Sequence, residues 1–200
     1  MSLTQVKVAS NPHQSRGLSA STKRDVSLNA VISASVSETT LRLERALTLI
    51  QHEHPLYFSF AMLQFTTGCR AAEAVFCSKH FYYVRDILCM QPAKRNAERV
   101  FSVDEQFSIE KFLFRANCAQ FNGCSLSTYR SIIRSAMQRA GIQLRSAAGN
   151  LYGATHIFRH AFVKRLMAQG LDLPSIKHRI GEKTDKAMNT YISSTIYIVP

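Results

Sequence analysis

The stretch Leu56 to Glu73, LYFSFAMLQFTTGCRAAE, decides the fold. Its apolar run predicts a helix from about Leu56 to Thr67. Gly68 closes that helix, because glycine accepts the left-handed conformation in which many helices end. A further helix begins near Arg70, with Glu73 in its first turn. Upstream, Leu43, Ala46, Leu47 and Ile50 recur at helical spacing from Glu38 onward, with Ser37 as cap and Pro55 closing the segment. Downstream, Ile87 to Pro92 and Arg99 to Val103 read as two short strands joined by the polar run Lys94 to Glu98. Beyond them, helices are expected at Glu105 to Ala119, Ser127 to Ala140, His156 to Gln169 and Leu173 to Arg179, with Gly141, Gly170 and Gly181 as stops. The expected fold is mainly α with a small antiparallel β-hairpin as its only sheet, and no internal repeat is visible.

Residues 1–37 are rich in Ser, Asn, Gln and Thr and lack a sustained apolar period, which predicts an irregular arm carrying Lys7, Arg16, Lys23 and Arg24. Residues 38–200 then form one folded domain. The formal net charge of +12 comes from dispersed Lys and Arg with aromatic residues between them, as a polyanion-binding surface requires. Lys or Arg interrupts every hydrophobic stretch, so no membrane role is expected. The five cysteines form no CxxC pair, and with no cleavable apolar segment at the start they suit a reduced cytoplasm. Histidines and cysteines never gather at ligand spacing, and His156 with His160 is the one pair that would share a helix face, so no metal or other cofactor is expected.

Five features lie in an order that makes chemical sense: Thr67-Gly68-Cys69-Arg70, Lys94 in the hairpin, His156-Ile157-Phe158-Arg159, Gly181-Glu182, and Tyr191. This arrangement resembles the catalytic domain of tyrosine recombinases, the family of phage integrases, chromosome-dimer resolving recombinases and fimbrial-switch recombinases. There an Arg follows a Thr-Gly turn, a Lys sits in a β-hairpin, a His-x-x-Arg box opens a helix, a Gly-His or Gly-Trp step follows, and the Tyr comes last. The separations of Arg70 from Lys94, Arg159 from Glu182 and Glu182 from Tyr191 suit the family, and the resemblance runs from about Ser37 to the end. It implies a site made of Arg70, Lys94, His156, Arg159, Glu182 and Tyr191. It also implies double-stranded DNA as substrate, a tetramer on two DNA sites, and accessory DNA-bending proteins as partners.

The physical logic stands beside the resemblance. The transition state of phosphoryl transfer places charge on two non-bridging oxygens, and two guanidinium forks, Arg70 and Arg159, can clamp them. Tyr191 can attack phosphorus and store the energy of the broken strand in a phosphotyrosine, so rejoining needs no nucleotide. A phenol keeps its proton at neutral pH, which makes His156 the candidate acceptor. Lys94 is the candidate donor to the departing 5′ oxygen, with Arg95 as its competitor. Structural readings stay open beside these: Arg70 pairing with Glu73, Lys94 as a solvated turn residue, His156 as a helix cap, Arg159 as a surface cation and Tyr191 as core packing.

Glu182 departs from the family pattern of His or Trp, and an ionised carboxylate repels phosphate unless it pairs with a cation such as Lys183 or Arg179, or stays protonated by burial. The departure favours a second class, a DNA-binding protein on the same fold that does not cleave. A topoisomerase-like enzyme that nicks and reseals would use the same tyrosine, arginines and lysine. After Tyr191, the apolar group Ile196 to Val199 reads as a short strand or tail that docks either on a neighbouring subunit, as in the family, or within its own chain.

Overall fold

The computed structural model describes residues 38–93 and 97–199. The expected arm of residues 1–37, its Ser37 cap, and Lys94 with Arg95 lie outside the described residues. Helix α1 occupies residues 38–53, and Leu43, Ala46, Leu47 and Ile50 are all buried on its inner face. Helix α2, Pro55–Thr67, carries the stretch that opened the reading. It is apolar on nearly every side, as a helix surrounded by protein must be, and it packs on both α5 (Val103–Phe121) and α7 (His156–Ala168). Edge-to-face pairs Phe58–Phe112 and Phe65–Phe158, with ring centroids 6.3 and 6.2 Å apart, stitch α2 to those two neighbours.

Gly68 caps α2 in the left-handed region at φ 64°, and its amide donates back to the Gln64 carbonyl. The chain then turns through Arg70 into α3, Ala71–Val75, followed by the single turn α4, Cys77–His80. Strands β1 (Phe81–Val84), β2 (Ile87–Met90) and β3 (Arg99–Val100) form an antiparallel sheet in that order. Helices α6 (Leu126–Arg139), α8 (Leu173–Ile180) and α9 (Asp185–Ser193) complete the helical layer. Strand β4, Ile142–Arg145, pairs antiparallel with β5, Thr195–Ile198, the two running in register from Ile142 opposite Ile198 to Arg145 opposite Thr195. The protein is therefore mainly helical with small antiparallel sheets.

Two features correct the expected hairpin-only sheet. Strand β1 was not expected, because its turn to β2 is the dipeptide Arg85-Asp86, which lacks the glycine of the favoured two-residue turns; Arg85 takes the left-handed conformation, φ 54°, without being glycine. The second sheet joins segments far apart in sequence, each only four residues long, so neither shows a legible period. It also answers the question of the tail, which docks within its own chain. Val103 opens α5 rather than ending a strand, because the capping box of Ser102 and Glu105 starts the helix there: the Glu105 carboxylate accepts from the Ser102 amide at 3.0 Å.

Helix α7 lies at the seam of two apolar clusters. Its Ile157 and Phe158 belong to the larger one with α1, α2, α5 and α6, whereas Phe162, Val163 and Leu166 join Ile176, Ile180, Met188 and Tyr191 in a smaller one. Gly181, at φ 68°, ends α8 and brings the chain hard against the segment leading into β3, where its carbonyl accepts from the Ala97 amide at 3.1 Å. A Cβ there would lie 2.7 Å from the Ala97 carbonyl oxygen, as well as carrying left-handed strain. Gly181→Ala should cost about 2 kcal/mol or more of folding free energy, read from the urea midpoint at unchanged slope.

Candidate active site

Arg159, on the second turn of α7, is only 2% exposed and has become the point where separate elements meet. Its Nε donates to the Tyr191 hydroxyl at 2.8 Å, its Nη1 to the Gly68 carbonyl at 2.7 Å, and its Nη2 to the Ile180 carbonyl at 3.0 Å. The expected alternative of a surface cation is thereby overturned. Three of its five N–H donors are committed to protein, which leaves two. The guanidinium also lies 5.5 Å from the centre of the Tyr191 ring.

Arg70 precedes α3 in an extended conformation and is held by Glu73. The Glu73 carboxylate, fully buried, accepts from the Arg70 amide at 2.6 Å, the Arg70 Nη1 at 3.0 Å and the Ala93 amide at 3.1 Å. Burial pushes its carboxyl upward, but the Arg70 amide and the Arg70 and Arg159 charges outweigh that and hold it below the usual range. The pairing of Arg70 with Glu73 is thus real. It aims the arginine without consuming it, since Nη2 reaches past Glu73 to Glu182.

Neither Lys183 nor Arg179, the cations offered as partners for Glu182, forms an ion pair with it among the described residues; Arg179 instead bonds Glu105 at 2.6 Å. The Glu182 Oε2 lies 3.4 Å from Arg70 Nη2 and 3.8 Å from Arg159 Nη2, and its other oxygen accepts from the Lys183 amide at 3.2 Å. One carboxylate therefore bridges the two guanidinium groups. The tight turn at Gly181 places it there.

A cavity of about 280 Å³ opens beside this bridge, lined among others by Arg70, Arg159, His156, Arg130 and Ala93. His156 is the first residue of α7 and sits on the cavity wall, with Thr155 rather than His156 at the capping position. Lys94 lies outside the described residues, but Ala93 and Ala97, the described residues on either side of it, are both tied to the site, through Glu73 and Gly181. Tyr191 reaches the site through Arg159 and is 8% exposed.

Four contributors escaped the sequence reading. Gln64, fully buried on α2, donates to the carbonyls of Cys69 and Thr155 and accepts from the Tyr129 hydroxyl at 2.7 Å, locking the approaches to Arg70 and His156 together. Arg99 on β3 is 3% exposed, donates to the Thr67 carbonyl at 2.5 Å and lies over Phe101; burial, then the charge of Arg159, lowers its pKa to about 10. Arg130 projects from the exposed side of α6 into the cavity. His160 packs edge-on against Tyr191 with centroids 4.7 Å apart, and its Nδ1 lies 2.5 Å from the Ser194 hydroxyl, which itself donates to the Tyr191 carbonyl at 3.0 Å. With the single hydroxyl proton so used, the network assigns the His160 proton to Nδ1. Only the position of His160 four residues after His156 hinted at a shared role; Gln64 and Arg99 gave no signal outside their folded surroundings.

Among the described residues, no three His, Cys, Asp or Glu side chains gather as a metal site, and no helix is long and apolar enough to cross a membrane. No family model, curated protein or solved structure matches this chain.

Burial foremost, then the charges of His156, Lys164 and Arg159, lowers the His160 pKa to about 3. The folded pKa lies below the unfolded value near 6.5, so the unfolded chain takes up the proton first as pH falls. The stability due to neutral His160 is complete above pH 6.5 and drains away between there and about pH 3. Thermal melting across that range should show a fall that is much shallower in His160→Asn, whose amide keeps a donor near Ser194 but does not titrate.

Proposed function

We propose that this chain cleaves and rejoins double-stranded DNA as a site-specific recombinase of the tyrosine type, through a 3′-phosphotyrosyl intermediate. The observation that carries this reading is the Tyr191 hydroxyl 2.8 Å from the guanidinium of Arg159, itself bridged by one carboxylate to Arg70. A nucleophile and two cations sharing one anion position are what phosphodiester cleavage requires. The sign of the charge supports it as well. Arg70, Arg99 and Arg159 meet two carboxylates, Glu73 and Glu182, leaving the cluster net positive before Arg130 is counted.

In the proposed reaction a phosphodiester lies across the free N–H groups of Arg70 and Arg159. The Tyr191 oxygen attacks phosphorus, stabilised as it gains charge by the Arg159 Nε, while His156 takes the phenol proton. The bond to the 5′ oxygen breaks, and that oxygen leaves as a hydroxyl with a proton from Lys94. The reverse attack of a 5′ hydroxyl on the phosphotyrosine rejoins the strand and regenerates Tyr191. His160 and Ser194 are positioning residues, which fix the ring and backbone of Tyr191. Recombination proper needs two DNA sites and hence several copies of the chain, with DNA-bending proteins as helpers.

The bridging Glu182 favours a second reading, a protein that binds DNA without cutting it, because that carboxylate stands where phosphate would bind. Covalent trapping separates the two. Incubation with nicked duplexes should yield a denaturation-resistant protein–DNA adduct that Tyr191→Phe abolishes. Salt-sensitive binding with no adduct would instead establish the non-cleaving protein.

A further inference from the structure

We propose that Glu182 is a built-in stand-in for the phosphate, occupying the anion position between Arg70 and Arg159 until a DNA phosphodiester displaces it. The inference rests on the reading of those two arginines as the phosphate clamp, and it makes Glu182 a positioning residue.

Three observations carry it. First, the contacts of Glu182 are loose by the standard of this protein. Its Oε2 stands 3.4 and 3.8 Å from the two guanidinium groups, whereas Glu73 closes to 3.0 Å on Arg70 and the Arg139–Glu53, Lys177–Asp185 and Arg179–Glu105 pairs close to 2.6 or 2.7 Å; among the described residues only the exposed Arg42–Glu38 pair is as long, at 3.4 Å. A carboxylate so placed compensates charge without being gripped, although its side chain is only 8% exposed. Second, both arginines are anchored by other partners. Arg70 is held by Glu73, and Arg159 by the Gly68 and Ile180 carbonyls and Tyr191, so neither needs Glu182 to keep its place. Third, the cavity lined by the same arginines, with Arg130 and His156, gives a phosphodiester a place to enter beside the carboxylate.

The exchange is neutral in charge: one monoanion leaves as another arrives, and Arg159, buried in the seam of two apolar clusters, is never left without a counter-charge. Glu182 sits between the left-handed Gly181 and the exposed Lys183, and the exchange requires its carboxylate to rotate out toward solvent. The nucleophile is close to the event, because α9, which bears Tyr191, begins at Asp185. A family-typical His or Trp at this position would bind phosphate; Glu182 makes phosphate compete for its place.

The test is the affinity of the full chain for inorganic phosphate, measured by calorimetry at constant ionic strength, in the wild type and in E182Q. Removing the competing charge should tighten phosphate binding about tenfold or more, and adding Arg70→Ala to E182Q should abolish the gain. Circular dichroism and melting temperature report whether the fold survives, and E182S carries the same comparison should E182Q not fold. Equal or weaker phosphate binding in the folded variant would overturn the proposal and leave Glu182 an ordinary structural ion pair. The trapping assay fails independently: tighter phosphate binding without a covalent adduct removes cleavage and keeps the exchange, whereas an adduct with unchanged phosphate affinity removes the exchange and keeps cleavage.

Discussion

The structure depends on one buried guanidinium. A charge that is 2% exposed is tolerable only with its hydrogen bonds satisfied and a counter-charge near, and Arg159 meets that demand by drawing in groups from elements remote in sequence. The Gly68 carbonyl ends α2, the Ile180 carbonyl ends α8, the Tyr191 hydroxyl lies on α9, and Glu182 supplies the charge. Helix ends leave carbonyls without intrahelical partners, so an arginine placed between two of them satisfies those carbonyls and itself together. The constraint that keeps a cation in the protein interior thereby assembles the candidate site.

Around this centre the polar groups work in layers. Glu73 and Gln64 sit almost wholly inside and bind backbone amides and carbonyls as well as side chains, which fixes the turn between α2 and α3 against the hairpin and the approach to α7. His160 and Ser194 do the same for the nucleophile candidate from the other side of α7. The arginines thus retain donors for an incoming anion while their positions are set by others. In the proposed reaction, preorganisation of this kind would let the arginines stabilise charge from positions already set. Glu182 is the exception, the least tightly held member of the cluster and the one whose residue type departs from the recombinase pattern.

Arg99 shows the other side of burying charge. Its pKa falls to about 10, and its Nε has no hydrogen-bond partner among the described residues, yet it stays beside Arg159, over the Phe101 ring and against the Thr67 carbonyl. Two arginines buried this close oppose each other, and the buried carboxylate of Glu73 compensates for both.

Much of this was legible in the amino-acid order, because local rules act over a few residues. The apolar periods placed α1, α2 and α5 to α8, Gly68 and Gly181 marked true left-handed ends, and the Thr-Gly-x-Arg, His-x-x-Arg and Gly-Glu elements were found in mutual contact. Boundaries moved by a residue or two wherever a cap took over, as at Ser102 and Ser125. Helix α9 was missed because its apolar residues are few, although Thr184 and Asp185 carry a start signal. Only the tertiary structure decided the rest: that Arg159 is buried rather than exposed, that Glu182 bridges two arginines rather than its sequence neighbours, and that the final strand returns to β4 of the same chain. Residue type and spacing dictate which groups can meet within a turn or two. Which distant groups do meet is decided by how buried charge and unpaired backbone find partners once the helices have packed.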